Sequence, residues 1–281
     1  VSGVMRIPAG VVTLTAAARI VERGPRYNVD QFRRHSPPMN APAPDLIPPP
    51  APTRVPVCGK RVTGHFPVRR IYCVGRNFAD HAREMGASAP VSKAERGTPV
   101  FFLKPADALV TDGVAAYPPG TRDLHHEIEL VVALGRDAPS GVLDPAQREA
   151  LVFGYGIGLD LTRRDLQTAA KAKGLPWDTG KSFDQSAPIS VLLPANEVGA
   201  LTSRTLSLRV NGALRQESRL DQLIWDVPEI LNALSKLYAL RAGDLISMRT
   251  PAGVAALQPG DVCEGRLDDL LRLDCRIAPQ R

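Results

Sequence analysis

The sequence predicts an α+β fold rather than a doubly wound sheet. From about Val57 onward, short β-like runs separated by Gly and Pro outnumber the helical patterns, and the two do not alternate regularly. A chain of 281 residues, 44% of them hydrophobic, is also long enough to bury a substantial core. The runs Arg70–Val74, Pro99–Leu103, Glu127–Leu134, Phe153–Leu161, Leu206–Val210, Leu245–Met248 and Leu270–Ile277 read as strands. Three helices are clear. Asp144 supplies an acidic cap, Pro145 a first-turn proline and Gln147 the partner three residues after the cap. Thr162 with Asp165 opens a second helix that runs to about Lys173 and stops at Gly174. The third follows Asp226-Val227-Pro228, sets Ile230, Leu231, Leu234, Leu237 and Tyr238 on one face, and ends before Gly243.

Charge is unevenly spread. The whole chain carries +6, but residues 1–38 hold six arginines against Glu22 and Asp30, leaving only +2 for residues 39–281. The folded body therefore has no basic excess that calls for a nucleic acid partner. No apolar run approaches the roughly 20 residues that a membrane span requires, so no membrane partner is expected. Nine prolines fall within 37–56, too dense for a core element. The expected organisation is a basic, disordered N-terminal segment (1–38), a Pro-rich linker (39–56) and a catalytic domain (57–281). The first segment, Arg-rich and acid-poor, reads either as a transit peptide or as dispensable sequence before a functional start at Met39. The second reading is preferred. Cys58, Cys73, Cys263 and Cys275 show neither zinc spacing nor disulfide density, which points to free thiols in a reducing, cytoplasmic setting. The five histidines show no zinc-hydrolase spacing.

Four segments hold residues able to do chemistry. In His125-His126-Glu127-Ile128-Glu129, strand alternation puts His125, Glu127 and Glu129 on one side, the carboxylates about 7 Å apart. A solvated strand entrance accounts for such a pair equally well. Asp160, ending the run Gly154-Tyr155-Gly156-Ile157-Gly158-Leu159, adds a third acid, and three hard oxygen donors suit Mg²⁺ or Mn²⁺. His81 and Glu84 stand at i and i+3 of a short helix, where the carboxylate can polarise the imidazole into a general base; an ordinary surface pair is the alternative. Gly174–Ser182 approaches a phosphate-binding loop, but five residues separate its glycines and Pro176-Trp177 is a poor cradle, so a nucleotide is not expected. Lys181 of that turn suits an oxyanion if it faces the acids.

Taken in order, CVGRNFADHAREMG (73–86), FFLKPADALV (101–110), YPPGTRDLHHEIELVVALG (117–135), GLDLTRRDLQ (158–167), KGLPWDTGKSFDQSAP (173–188), VNGALRQ (210–216) and GDLISMRTPAGV (243–254) resemble the fumarylacetoacetate hydrolase family, and within it bacterial fumarylpyruvate hydrolases most. The resemblance implies a mixed β-sheet roll or barrel with peripheral helices, a homodimer, and a hydrolase acting on carbon–carbon bonds of a small 2-keto acid, with fumarylpyruvate cleaved to fumarate and pyruvate in gentisate-type aromatic catabolism. It implies Mg²⁺, or Mn²⁺, on Glu127, Glu129 and Asp160. It gives His81 and Glu84 the water-activating role and Lys181 the stabilisation of negative charge. Arg164, Gln167 and Thr250 would hold the pyruvyl end. The same apparatus also suits an oxaloacetate-type decarboxylase or a dienol-acid hydratase or isomerase. One departure stands out: Arg249 occupies a position where the family usually carries glycine, which either extends the carboxylate pocket or crowds it, and leaves open an inactive paralogue kept as a binding protein.

Overall fold

The computed structural model describes residues 45–75, 77–78, 95–139 and 141–280. The chain divides into residues 1–50 and 51–281; of the first unit only 45–50 are described, exposed and outside helix and strand. In chain order the second unit holds β1 (Arg54–Cys58), β2 (Thr63–Pro67), β3 (Arg70–Gly75), β4 (Val100–Lys104), β5 (Leu109–Val110), β6 (Val114–Ala116), β7 (Leu124–His125), β8 (Ile128–Leu134), α1 (Pro145–Leu151), β9 (Val152–Leu159), β10 (Thr162–Arg163) and α2 (Arg164–Ala172). There follow β11 (Ala187–Pro188), β12 (Leu193–Pro194), β13 (Thr205–Val210), β14 (Ala213–Arg219), α3 (Val227–Ser235), β15 (Asp244–Ser247), β16 (Ala256–Leu257), β17 (Val262–Leu267) and β18 (Leu271–Ala278).

Two mixed sheets dominate, in the orders β12-β9-β8-β15-β3-β4 and β14-β13-β17-β18-β6. Only β15–β3 is parallel in the first and only β18–β6 in the second. The α+β reading holds, and among the described residues neither sheet closes into a barrel. The second sheet has one solvated face, and β18 alternates strictly between buried and exposed positions along most of its length. The first is covered on both sides, which is why its central strand β8 runs apolar from Leu130 to Leu134. Ile128, Leu130, Val132 and Leu134 enter the core shared with Leu206, Leu208, Leu267 and Leu273 of the second sheet. Val131 and Ala133 face the opposite way, into a smaller core with Val55, Phe66, Ile71 and Leu245. Each fully buried Leu, Ile or Val contributes about 1.5–3 kcal/mol. Glu129, by alternation, heads the second face.

The helices follow their local chemistry. In α1 the expected capping box is made by Asp144 and Gln147, and in α3 Asp226 makes one with Glu229. The second helix differs from expectation: Thr162 lies in β10 and gives its hydroxyl to the Asp160 carbonyl (3.0 Å), while Asp165 accepts from Thr121 Oγ1 (2.6 Å), so neither caps α2. The third helix stops at Ser235, well short of Gly243. There the Ser235 hydroxyl bonds back to the Asn232 and Gly141 carbonyls, competing with continuation of the helix, and Leu237 is left exposed. Tyr238 instead packs against Tyr72, ring centroids 5.1 Å apart. The stretch read as linker also ends sooner: β1 begins at Arg54, and Pro56 is tolerated because β1 is in a two-stranded sheet whose outer edge needs no ladder donor there.

The Gly154-x-Gly156-x-Gly158 pattern serves packing. A Cβ on Gly154 would lie 2.2 Å from the Leu193 carbonyl oxygen on the adjoining β12. Gly154→Ala is therefore expected to destabilise the protein by at least about 1–3 kcal/mol through overpacking, read as a fall in the midpoint of chemical denaturation.

Candidate functional site

Three carboxylates meet where β8 and β9 begin and end. These strands pair antiparallel with Ile128 opposite Leu159 and Glu129 opposite Gly158. Just beyond the ladder, the Asp160 amide donates to the Glu127 carbonyl (2.8 Å), which sets those two residues side by side. Glu127, Glu129 and Asp160 are all buried, and each offers one oxygen within 4.8 Å of the others'. The strand expected from Glu127 onward begins at Ile128, and His125 belongs to β7 in a separate three-stranded sheet. Its Nε2 sits 2.9 Å from Asp123, and burial with the Arg164 charge lowers its pKa.

Cations surround two of the three acids. Lys181, fully buried, spends its ammonium on Asp160 Oδ2 (2.5 Å), Thr162 Oγ1 (2.7 Å) and Glu127 Oε2 (3.0 Å). Lys104 faces Asp160 Oδ1 at 2.9 Å and also bonds the Leu161 carbonyl (3.2 Å). Arg164 reaches Glu127 Oε1 through one guanidinium nitrogen and Gln167 Oε1 (2.6 Å) through another. Arg249 Nη1 lies 3.2 Å from Glu127 Oε2. Burying so many charges is favourable only because each has a close counterpart.

Glu129 is treated differently. Its Oε2 accepts from the Ser247 hydroxyl and the Arg249 amide (3.1 Å), whereas Oε1 is buried with no hydrogen-bond partner among the described residues. Burial first, then repulsion from Asp160 and Glu127, raises its pKa to about 8. An orphaned carboxylate oxygen beside two further carboxylates fits a divalent cation that prefers oxygen ligands: the missing partner of Glu129 Oε1 would be the ion itself.

The residues expected at the site thus fall into three groups. Glu127, Glu129, Asp160 and Lys181 come together, with Arg164 against Glu127 and Gln167 bonded to Arg164. Thr250 is fully buried next to Arg249, its hydroxyl accepting from Gln216 Nε2 (2.7 Å). His81 and Glu84 lie outside the described residues. Sequence reasoning missed Lys104, Ser247 and Gln216. Ser247 sits opposite Val131 in the β15–β8 ladder, on the face that carries Glu129. Gln216 also accepts from the Ile128 amide (3.2 Å), shares His126 Nδ1 (2.9 Å) and donates to the Pro251 carbonyl (2.8 Å). A signal existed for Lys104, a lysine closing the apolar run Phe101-Phe102-Leu103. Beside Lys181 a cavity of about 360 Å³ opens, lined by Phe102, Leu103, Leu175, Trp177 and Ser182. Arg249 adopts φ of +92°, the left-handed region in which a glycine would be unstrained.

Charged groups of both signs held dry beside a cavity, on a mixed-sheet scaffold, are what an enzyme acting on small polar molecules requires. The chain belongs to the fumarylacetoacetate hydrolase family, whose C-terminal model, described as "Fumarylacetoacetate (FAA) hydrolase C-terminal", matches residues 70–278. It is 45% identical to a Pseudomonas aeruginosa fumarylpyruvate hydrolase whose crystal structure is in complex with Mn²⁺ and pyruvate; the match covers 84% of this chain and 100% of that one, with a TM-score of 0.77. A fumarylpyruvate hydrolase from Ralstonia is 41% identical over 180 residues, 64% of this chain and 92% of the relative. The mitochondrial oxaloacetate tautomerase FAHD1 of Bos taurus is 38% identical over 210 residues, 74% of this chain and 91% of the relative.

Glu129 gives the metal-free protein a pH signature. Its pKa is about 8 folded against an ordinary 4.5, so between those values the folded state keeps a proton that the unfolded state has lost. The stabilisation is full below the ordinary value and lost as pH rises through about 8. Urea denaturation in the presence of chelator should show stability falling from pH 5 to pH 8, and Glu129→Gln should flatten that slope.

Proposed function

We propose that this protein hydrolyses the carbon–carbon bond of an acylpyruvate, with fumarylpyruvate cleaved to fumarate and pyruvate. The observation that carries this reading is the buried Glu127–Glu129–Asp160 cluster with its orphaned Glu129 oxygen, in a chain similar to fumarylpyruvate hydrolases. The three carboxylates would hold Mg²⁺, with Mn²⁺ as the alternative. When bound, that ion would supply Lewis-acid polarisation of the 2-keto acid oxygens. Arg164, Gln167 and Thr250 orient the pyruvyl end, the guanidinium of Arg164 contributing charge and a planar set of donors. His81, polarised by Glu84, takes a proton from the water that attacks the distal carbonyl. The bond to the pyruvyl methylene then breaks, its electrons pass to the pyruvate enolate, and a proton returned to that carbon completes pyruvate. Lys181, held among the acids, keeps positive charge where the enolate forms.

Oxaloacetate chemistry is the second reading, supported by the likeness to the bovine tautomerase. There the same residues would only move protons on a 2-keto-4-carboxy acid, with no attack by water. A homodimer and a cytoplasmic setting belong to the proposal as well, and light scattering on the purified chain reads the first.

The deciding assay follows ultraviolet absorbance with Mg²⁺ present, on fumarylpyruvate and oxaloacetate separately, counting fumarate and pyruvate. Chelator-sensitive release of both products from fumarylpyruvate is expected. Enol–keto conversion or pyruvate formation from oxaloacetate, without fumarylpyruvate cleavage, would move the assignment to the second reading. Lys181→Ala should lower kcat by about 10²–10³-fold, the range seen when a preorganised donor to developing charge is removed. Glu129→Gln should raise the Mg²⁺ requirement.

A further inference from the structure

Helix α2 carries two of the residues assigned to the pyruvyl end, Arg164 and Gln167, and both are buried. Lys171 follows them at i+7 and i+4, so all three share one face of the helix. At about 1.5 Å per residue it stands about 10 Å beyond Arg164 and about 6 Å beyond Gln167. Unlike them it keeps contact with solvent. Its Nζ lies 5.1 Å from the centre of the Trp177 ring. Trp177 leans on Phe102, ring centroids 6.2 Å apart, and Lys181 Nζ is 5.2 Å from the centre of the Phe102 ring. Both rings line the cavity of about 360 Å³, which therefore has an aromatic wall with a lysine at each end.

Charge singles out the outer lysine. Lys181 has Glu127 and Asp160 as counter-ions, whereas among the described residues no carboxylate is paired with Lys171. Partial burial first, then the positive charges of Arg249 and Arg164, hold its pKa down to about 8. A cation set among other cations at the edge of a cavity gains from an arriving anion. We propose that Lys171 binds the far carboxylate of a dicarboxylic acylpyruvate, and so selects fumarylpyruvate over acylpyruvates that end in an alkyl group. The pyruvyl end sits at Arg164 and Gln167, and the flat unsaturated segment lies along Phe102 and Trp177. The second carboxylate then reaches the Lys171 ammonium and accepts charge-assisted hydrogen bonds from it. The inference rests on the acylpyruvate reading above, deepens it to a substrate class, and is separable from it.

The test compares fumarylpyruvate with acetylpyruvate, which ends in a methyl group, as substrates of the Mg²⁺-loaded full chain. Lys171→Gln should lower the ratio of kcat/KM for fumarylpyruvate to that for acetylpyruvate by about tenfold or more. The change should lie in KM for fumarylpyruvate rather than in kcat, as expected for lost binding to a part of the substrate remote from the reacting bond. Lys171→Arg keeps the charge and should retain most of the wild-type ratio. Far-ultraviolet circular dichroism checks that both variants are folded. A wild-type ratio in Lys171→Gln would overturn the proposal while leaving acylpyruvate hydrolysis intact. An equally large fall in Lys171→Arg would overturn it too, since packing on Trp177 rather than charge would then be responsible. Cleavage of neither acylpyruvate by wild type would remove the acylpyruvate reading and this inference with it.

Discussion

The hydrogen bond from the Asp160 amide to the Glu127 carbonyl extends the β8–β9 pairing one step past its regular ladder, and the site depends on that step. Without it, two acids from distant parts of the sequence would have no reason to lie side by side against their mutual repulsion. The pairing is secured far from the acids by the two-faced burial of β8, whose alternate residues belong to two separate cores. The energy that holds three carboxylates together is therefore hydrophobic and lies behind them. The lysines and arginines lie against Glu127 and Asp160, and Glu129, with its orphaned oxygen, is the one left exposed to the full cost of burial.

Much of this was legible in the sequence where the cause is local. Capping boxes at Asp144 and Asp226 are written within four residues, and the apolar run of β8 declares a strand covered on both sides. Glu127, Glu129 and Asp160 were legible as candidate ligands from their chemistry, whereas the alternation that grouped His125 with them has no single strand to run along, because β7 and β8 belong to different sheets. What could not be read depends on partners far along the chain. Thr162 looks like a helix cap but is held in a strand by β7, and α3 ends early because Ser235 finds the Gly141 carbonyl. Lys104 and Ser247 gain meaning only when their strands lie beside the acids. The left-handed backbone of Arg249 had no local signature at all, since a turn of that kind normally announces itself with glycine.

The arrangement also separates two roles that are easily merged. Lys181 and Lys104 are fastened by neutral acceptors as well as carboxylates, Thr162 for one and main-chain carbonyls for the other, so their positions do not depend on the acids alone. They form part of the frame. The Ser247 hydroxyl and the Arg249 amide, by contrast, direct Glu129 Oε2 and leave its other oxygen buried without a hydrogen-bond partner among the described residues. A small number of neutral donors thus orients the one carboxylate that has no cation in hydrogen-bond contact.

Gln216 carries a consequence beyond the site. It belongs to β14, the edge strand of the second sheet, yet its amide group is bonded to His126, to the Ile128 amide at the start of the first sheet's central strand, and to Thr250 and Pro251. An edge strand is ordinarily the first part of a sheet to exchange its amide protons with solvent. Here the middle of it cannot detach without releasing the start of β8, so the two sheets are joined into one cooperative opening unit at the place where the chemistry resides.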